Sequence, residues 1–161
     1  RRPEVLGDEH PSTLTTRHNI AFLMSNQGRN AEAEAELRAV YAIRCRPEVL
    51  GDEHPDTLTT RHNIAQQMGY QGRYAEAEAE LRAVYAIQRR PEVLGEEHNN
   101  TLRCLFHIAR MLVEQTKVVE AKVIVKKIET PIRKGRSNTH LYVTELNDLI
   151  SRIDQQSDGT S

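Results

Sequence analysis

Leu58, Arg61, Ile64, Ala65 and Met68 return at intervals of three and four residues, which marks one stripe of a helix beginning near Pro55. Proline suits that first turn, where a missing N–H costs no intrahelical bond, and His54 or a polar neighbour is placed to cap the open donors. Gln71-Gly72 closes the helix, with the glycine supplying the left-handed backbone that helix C-termini favour. The next segment, Tyr74 to about Gln88, alternates alanine and glutamate in a way that superficially suits a strand. Its composition of alanine, glutamate, leucine and arginine instead predicts a helix. On that helix Ala77, Leu81, Val84 and Tyr85 share a face, while Glu76, Glu80 and Arg82 meet solvent. The small side chains of Ala65 and Ala77 suit a close approach of paired helices.

This helix pair is one copy of a repeat. Residues 2–45 recur as residues 46–89 with 36 of 44 positions identical, and a looser copy starts at Arg90 with RPEVLGEEHNNTL. A fixed period of this length predicts stacked supersecondary units, none of which buries its apolar face alone. The third unit keeps Leu102, Ile108, Ala109, Leu112, Ala121, Val125 and Ile128. Thr116-Lys117 stands where the other copies have Gly-Arg, which predicts a less sharply capped turn. Thr130-Pro131 is expected to stop the second helix of that unit. After Gly135-Arg136-Ser137, a capping helix from about Thr139 to Asp154 is predicted from Leu141, Tyr142, Leu146, Leu149, Ile150 and Ile153. Residues 155–161 carry no apolar anchor and are expected to be disordered. The predicted organisation is three repeats within 1–136 (about 2–45, 46–89 and 90–134), a cap at 137–154 and a tail.

The motif Asn19-Ile20-Ala21, Gln27-Gly28-Arg29, Ala31 to Leu37 and Val40 resembles the tetratricopeptide repeat. The LGDEHP-(S/D)-TL lead-in is similar to the long-repeat branch typified by kinesin light chain, found also in bacterial signalling proteins. The period here is two residues longer than is usual in that branch, the extra pair falling at Arg46-Pro47-Glu48 and Arg90-Pro91-Glu92. The resemblance implies an all-α fold: a right-handed α-α superhelix of three helix pairs plus a C-terminal capping helix. It also implies a concave groove, lined by the first helix of each pair, that holds a peptide or partner segment. Placed on this sequence, the groove stripe is Thr15, His18, Asn19, Phe22 and Asn26 in unit one, Thr59, His62, Asn63, Gln66 and Tyr70 in unit two, and Arg103, Phe106, His107 and Arg110 in unit three. Asn19 and Asn63 match groove asparagines of the kinesin-light-chain type, whose amides both donate to and accept from a peptide backbone.

A formal net charge of −1 gives no general reason to expect nucleic acid as a partner. All five lysines, however, lie between 117 and 134. No aromatic residues interleave with them, and a solvated helix face accounts for the charge. Cys45 and Cys104 form no paired motif and are expected to be free thiols, which together with the absence of a long apolar run points to the cytoplasm. His10, His54 and His98 occur once per unit and so cannot converge on one metal ion. Glu32, Glu34 and Glu36 fan around a helix, where pairing with Arg38 or with the next unit's arginines is expected. No catalytic residue, metal or cofactor is predicted. Because Arg1 falls just before a repeat boundary, the chain is expected to be a segment of a longer protein. The function predicted is a non-enzymatic protein-interaction scaffold that binds a peptide or partner segment in the concave groove; the alternative is a homo-oligomer formed through the uncapped edge of unit one.

Overall fold

The computed structural model describes residues 10–134 and 143–159. The expected break at Gly135-Arg136-Ser137 and the residues Thr139, Leu141 and Tyr142 fall outside them. Seven α-helices and no strand occur among the described residues: α1 (Pro11–Asn26), α2 (Asn30–Arg44), α3 (Pro55–Tyr70), α4 (Tyr74–Gln88), α5 (Asn99–Glu114), α6 (Val118–Arg133) and α7 (Val143–Gly159). They fall into two compact units, the first ending at Arg73 and the second starting at Tyr74.

The first helix of each pair starts in the same way. His10, His54 and His98 each accept a backbone N–H through Nδ1, from Ser12 at 3.1 Å, Asp56 at 3.0 Å and Asn100 at 3.0 Å. An accepting Nδ1 leaves the ring proton on Nε2. These three histidines are therefore helix caps, each satisfying a donor that the first turn leaves open. Each helix is followed by a left-handed residue, Gly28 (φ 80°), Gly72 (φ 82°) or Thr116 (φ 61°). The third turn is as fully hydrogen-bonded as the glycine turns: Thr116 N–H reaches Val113 O at 3.0 Å and Lys117 N–H reaches Leu112 O at 2.8 Å. The expected loosening is absent, and the cost is instead backbone strain at a β-branched residue.

In unit one, α2 packs against both α1 and α3. Leu14, Ala21, Ala33, Leu37, Val40, Leu58, Ile64, Ala65 and Met68 form its buried apolar set. The two extra residues of the period sit in a turn that folds back on the end of α2, where Gly51 N–H donates to Arg44 O at 3.0 Å and to Arg46 O at 2.9 Å. Buried Thr57 donates through its hydroxyl to Arg44 O at 3.2 Å, which ties the start of α3 to the same carbonyl.

In unit two, α4 packs on α5, α5 on α6, and α7 on both α6 and α5. Leu146, Leu149 and Ile153 of α7 are buried. Two expectations fail in this unit. α6 continues through Pro131 to Arg133 instead of stopping at Thr130. Proline there removes a single bond in the last turn, which Lys134 N–H closes onto Thr130 O at 3.0 Å. α7 also runs past Asp154 to Gly159, where a disordered tail was expected. Its anchor is polar: the Gln156 amide donates to Val113 O at 3.2 Å.

Candidate functional site

The groove stripe expected from the sequence divides by burial. On α1, Thr15, Asn19, Phe22 and Asn26 are exposed, Phe22 at 64 %, and His18 is half-buried. On α3, Tyr70 is exposed, Thr59, Asn63 and Gln66 are half-buried, and His62 is buried. On α5, Arg103 and Arg110 are half-buried, whereas Phe106 and His107 are buried. Three residues of the stripe, His62, Phe106 and His107, are therefore largely interior side chains.

Unit one brings His18 and Asn63 together. The Asn63 amide lies 2.7 Å from His18 Nε2, and Arg44 Nη1 lies 3.4 Å from His18 Nδ1. Both facing atoms, Asn63 Nδ2 and Arg44 Nη1, are donors, and a neutral imidazole accepts at one ring nitrogen only, so the closer contact with Asn63 is the one it takes as a hydrogen bond. Arg44 donates to Thr60 Oγ1 at 2.8 Å. Burial, and then the Arg44 charge, hold the His18 pKa below its ordinary value despite the opposing pull of Asp56. Asn63 is thus engaged within the frame, while its counterpart Asn19 faces solvent. The equivalence expected of the two asparagines does not survive in the structure.

The part of the stripe on α5 faces the capping helix α7. Phe106, Arg110, Glu145, Asp148, Leu149 and Arg152 surround a cleft of about 210 Å³ between α5 and α7. Arg110 stacks over Phe106 at 5.9 Å, and Phe106 meets His107 edge-on at 5.5 Å. Burial, reinforced by the charges of Arg110 and Arg103, lowers the His107 pKa to about 3. The sequence did hold a signal for this. From Cys104 to Val113 only His107 and Arg110 interrupt an apolar run, and a helix apolar on most sides belongs in an interior.

The remaining candidates for chemistry have structural roles. Glu34 accepts from Gln71 Nε2 and Arg73 Nη1, both at 2.8 Å, and from Arg38 Nη2 at 2.7 Å. Burial pushes its carboxyl up, but the hydrogen bonds from Gln71 and Arg38 and the two guanidinium charges outweigh it and hold the pKa below the ordinary value. Glu78 repeats the arrangement in unit two with Gln115 at 2.9 Å, Arg82 at 2.7 Å and Lys117 at 3.9 Å. Buried Cys104 donates to Leu81 O at 3.2 Å, and burial pushes its thiol up to about 12, which makes it a poor nucleophile. No group of side chains among the described residues is arranged to hold a metal ion, and no described helix is long and apolar enough to cross a membrane. Lys122, Lys126 and Lys127 are exposed on α6, interspersed with exposed Val119 and Val123.

Residues 13–56 and 57–100 each match the family model described as tetratricopeptide repeat. A Podosopora anserina protein described as a kinesin light chain with nearly identical TPR-like repeats shares the fold at a TM-score of 0.68 and 24% identity, over 99% of this chain and 82% of its own. A single-substitution variant of that protein gives a TM-score of 0.69 at 24% identity, over 99% of this chain and 81% of its own. No curated protein matches the chain.

Proposed function

The chain belongs to the tetratricopeptide repeat family, and on that premise we propose that it is a non-enzymatic interaction module whose ligand surface is centred on the exposed stripe of α1. The ligand is an extended peptide or a segment of a partner protein. Phe22 carries this reading: an aromatic ring 64 % exposed, on the same helical face as the exposed amides of Asn19 and Asn26. The ring takes an apolar side chain of the ligand, and the amides take its backbone donors and acceptors. Variation between the copies supports the assignment. The first two repeats differ at eight of 44 positions, and five of those eight lie between residues 22 and 30 or their counterparts between 66 and 74. Phe22 stands against Gln66 and Asn26 against Tyr70, so a nearly constant frame displays different groups.

A role as sensor or scaffold within a larger cytoplasmic signalling protein fits this chemistry. Capture of partners from lysate by the wild-type chain and by the double variant Asn19→Ala, Phe22→Ala tests the surface. Both residues are exposed, so circular dichroism should show the variant folded. The expected outcome is loss of the specific partners; an unchanged partner set on a folded variant refutes the assignment.

A further inference from the structure

The eight positions that differ between the first two copies do not all fall between residues 22 and 30 and their counterparts. Two of the other three place Asp56 where the first copy has Ser12, and Arg44 where the second has Gln88. At the next junction the same two places hold Gln88 and Asn100, neither of them charged. Arg44 and Asp56 thus form an opposite-charge pair peculiar to one junction, and both line a cleft of about 280 Å³ in unit one. Leu14, Val49 and Leu50 supply its apolar wall, and Glu48 joins Asp56 as a second carboxylate.

Arg44 is only 6 % exposed, and a guanidinium taken out of water is costly unless a counterion meets it. Among the described residues no carboxylate comes within ion-pair distance of it. Its Nη1 donates to Thr60 Oγ1 at 2.8 Å and to the backbone oxygen of Asp56 at 3.4 Å. Nε is buried without a partner, and Nη2 makes no hydrogen bond among the described residues. Burial accordingly pulls the Arg44 pKa below its ordinary value, and the Asp56 charge opposes this. Asp56 and Glu48 are themselves exposed. A cation inside the cleft and two anions toward solvent, held apart from it, leave room for a ligand between opposite charges.

We propose that this cleft is a binding site for a peptide carboxylate that has a cationic group beside it. The carboxylate takes the free donors of Arg44 in a charge-assisted contact, and the cation is held by Asp56 and Glu48. Leu14, Val49 and Leu50 shield the contact from water, which strengthens it. An acidic side chain next to a lysine carries this chemistry, and so does a C-terminal lysine with its own carboxylate. The exposed surface of Asn19, Phe22 and Asn26 is not needed for it, so either assignment can fail without the other.

Two small probes offer the carboxylate from these different sources: acetyl-Asp-Lys-amide from a side chain, and Nα-acetyl-lysine from a C-terminus. Each is titrated into the intact chain and followed by heteronuclear NMR on the amides of Leu14, Val49 and Leu50. Saturable shifts are expected with at least one probe, the tighter of the two identifying the source. Arg44→Gln should weaken binding about tenfold, and Asp56→Ser should weaken it less. The other copies already carry glutamine and serine at these places, so the frame accommodates both variants. His18 gives a second readout, because the charges acting on it are those of Arg44 and Asp56. A carboxylate seated on Arg44 offsets the guanidinium, so the His18 pKa should rise on binding in the wild type and stay unchanged in Arg44→Gln. Asn19→Ala with Phe22→Ala should leave binding as it is. Absence of saturable shifts from both probes, shifts undiminished by Arg44→Gln, or equally tight binding of acetyl-Asp-Asn-amide overturns the inference.

Discussion

At the scale of single residues, the histidines show how position sets chemistry. His10, His54 and His98 cap helices through Nδ1, His18 is held neutral between Arg44 and Asn63, and His107 is buried against Phe106. The His107 pKa in the fold is about 3, against 6.5 for the free side chain. The folded state therefore favours the neutral ring, and its contribution is complete above pH 6.5 and lost progressively as pH falls toward 3. Between these limits the loss approaches about 1.4 kcal/mol per pH unit. His18, whose pKa is also lowered, adds a loss of the same sign. Glu34 and Glu78 have pKa values below 4.5, so their contributions persist until the pH drops under that range. Urea midpoints at pH 7 and pH 5 isolate the histidines: wild type should be less stable at pH 5, and His107→Gln should flatten most of the difference. A variant that keeps the full slope would remove His107 as its source.

At the scale of elements, the turn between paired helices is the most informative comparison. The copies use Gly28, Gly72 and Thr116 for the same left-handed step. A Cβ added at Gly72 would meet nothing within 4 Å, so the cost of a side chain there is carried by the backbone alone. Thr116 bears that cost, partly offset by its hydroxyl bond to Gln115 O at 2.6 Å. Thr116→Gly should raise stability by about 1 kcal/mol and Gly72→Ala should lower it by a similar amount, both measured by urea denaturation. A neutral or destabilising Thr116→Gly would show that the hydroxyl bond outweighs the strain.

Helix starts and ends were legible in the sequence where their causes are local, as with His54-Pro55 and Gln71-Gly72. They were not legible where a distant contact decides. Pro131 reads as a stop, yet only one bond is lost there. Gln155 onward reads as a tail, yet Gln156 finds Val113 O on α5. The candidate site follows the same division. The family resemblance put Asn19, Phe22 and Asn26 on one stripe, and all three are exposed, but Phe106 and His107 belong to a helix that α7 covers from far along the chain.

At the scale of the whole molecule, tandem repetition places near-identical chemistry in successive positions, so small departures from identity carry the functional information. The helix starts, the carboxylate clips at Glu34 and Glu78, and the folded-back turns at Gly51 and Gly95 recur with little change. Departures concentrate near the ends of α1 and α3, where the exposed groups are Phe22, Asn26 and Tyr70. This is the distribution expected of a chain whose frame is fixed by stacking and whose displayed face is tuned to a ligand. Hydrogen–deuterium exchange on the chain with and without a captured partner tests the central claim most directly. Protection on binding should concentrate in residues 15–26, with a smaller effect in 59–70. Protection confined to α2, α4 or the lysine-bearing α6, with residues 15–26 unchanged, would contradict it.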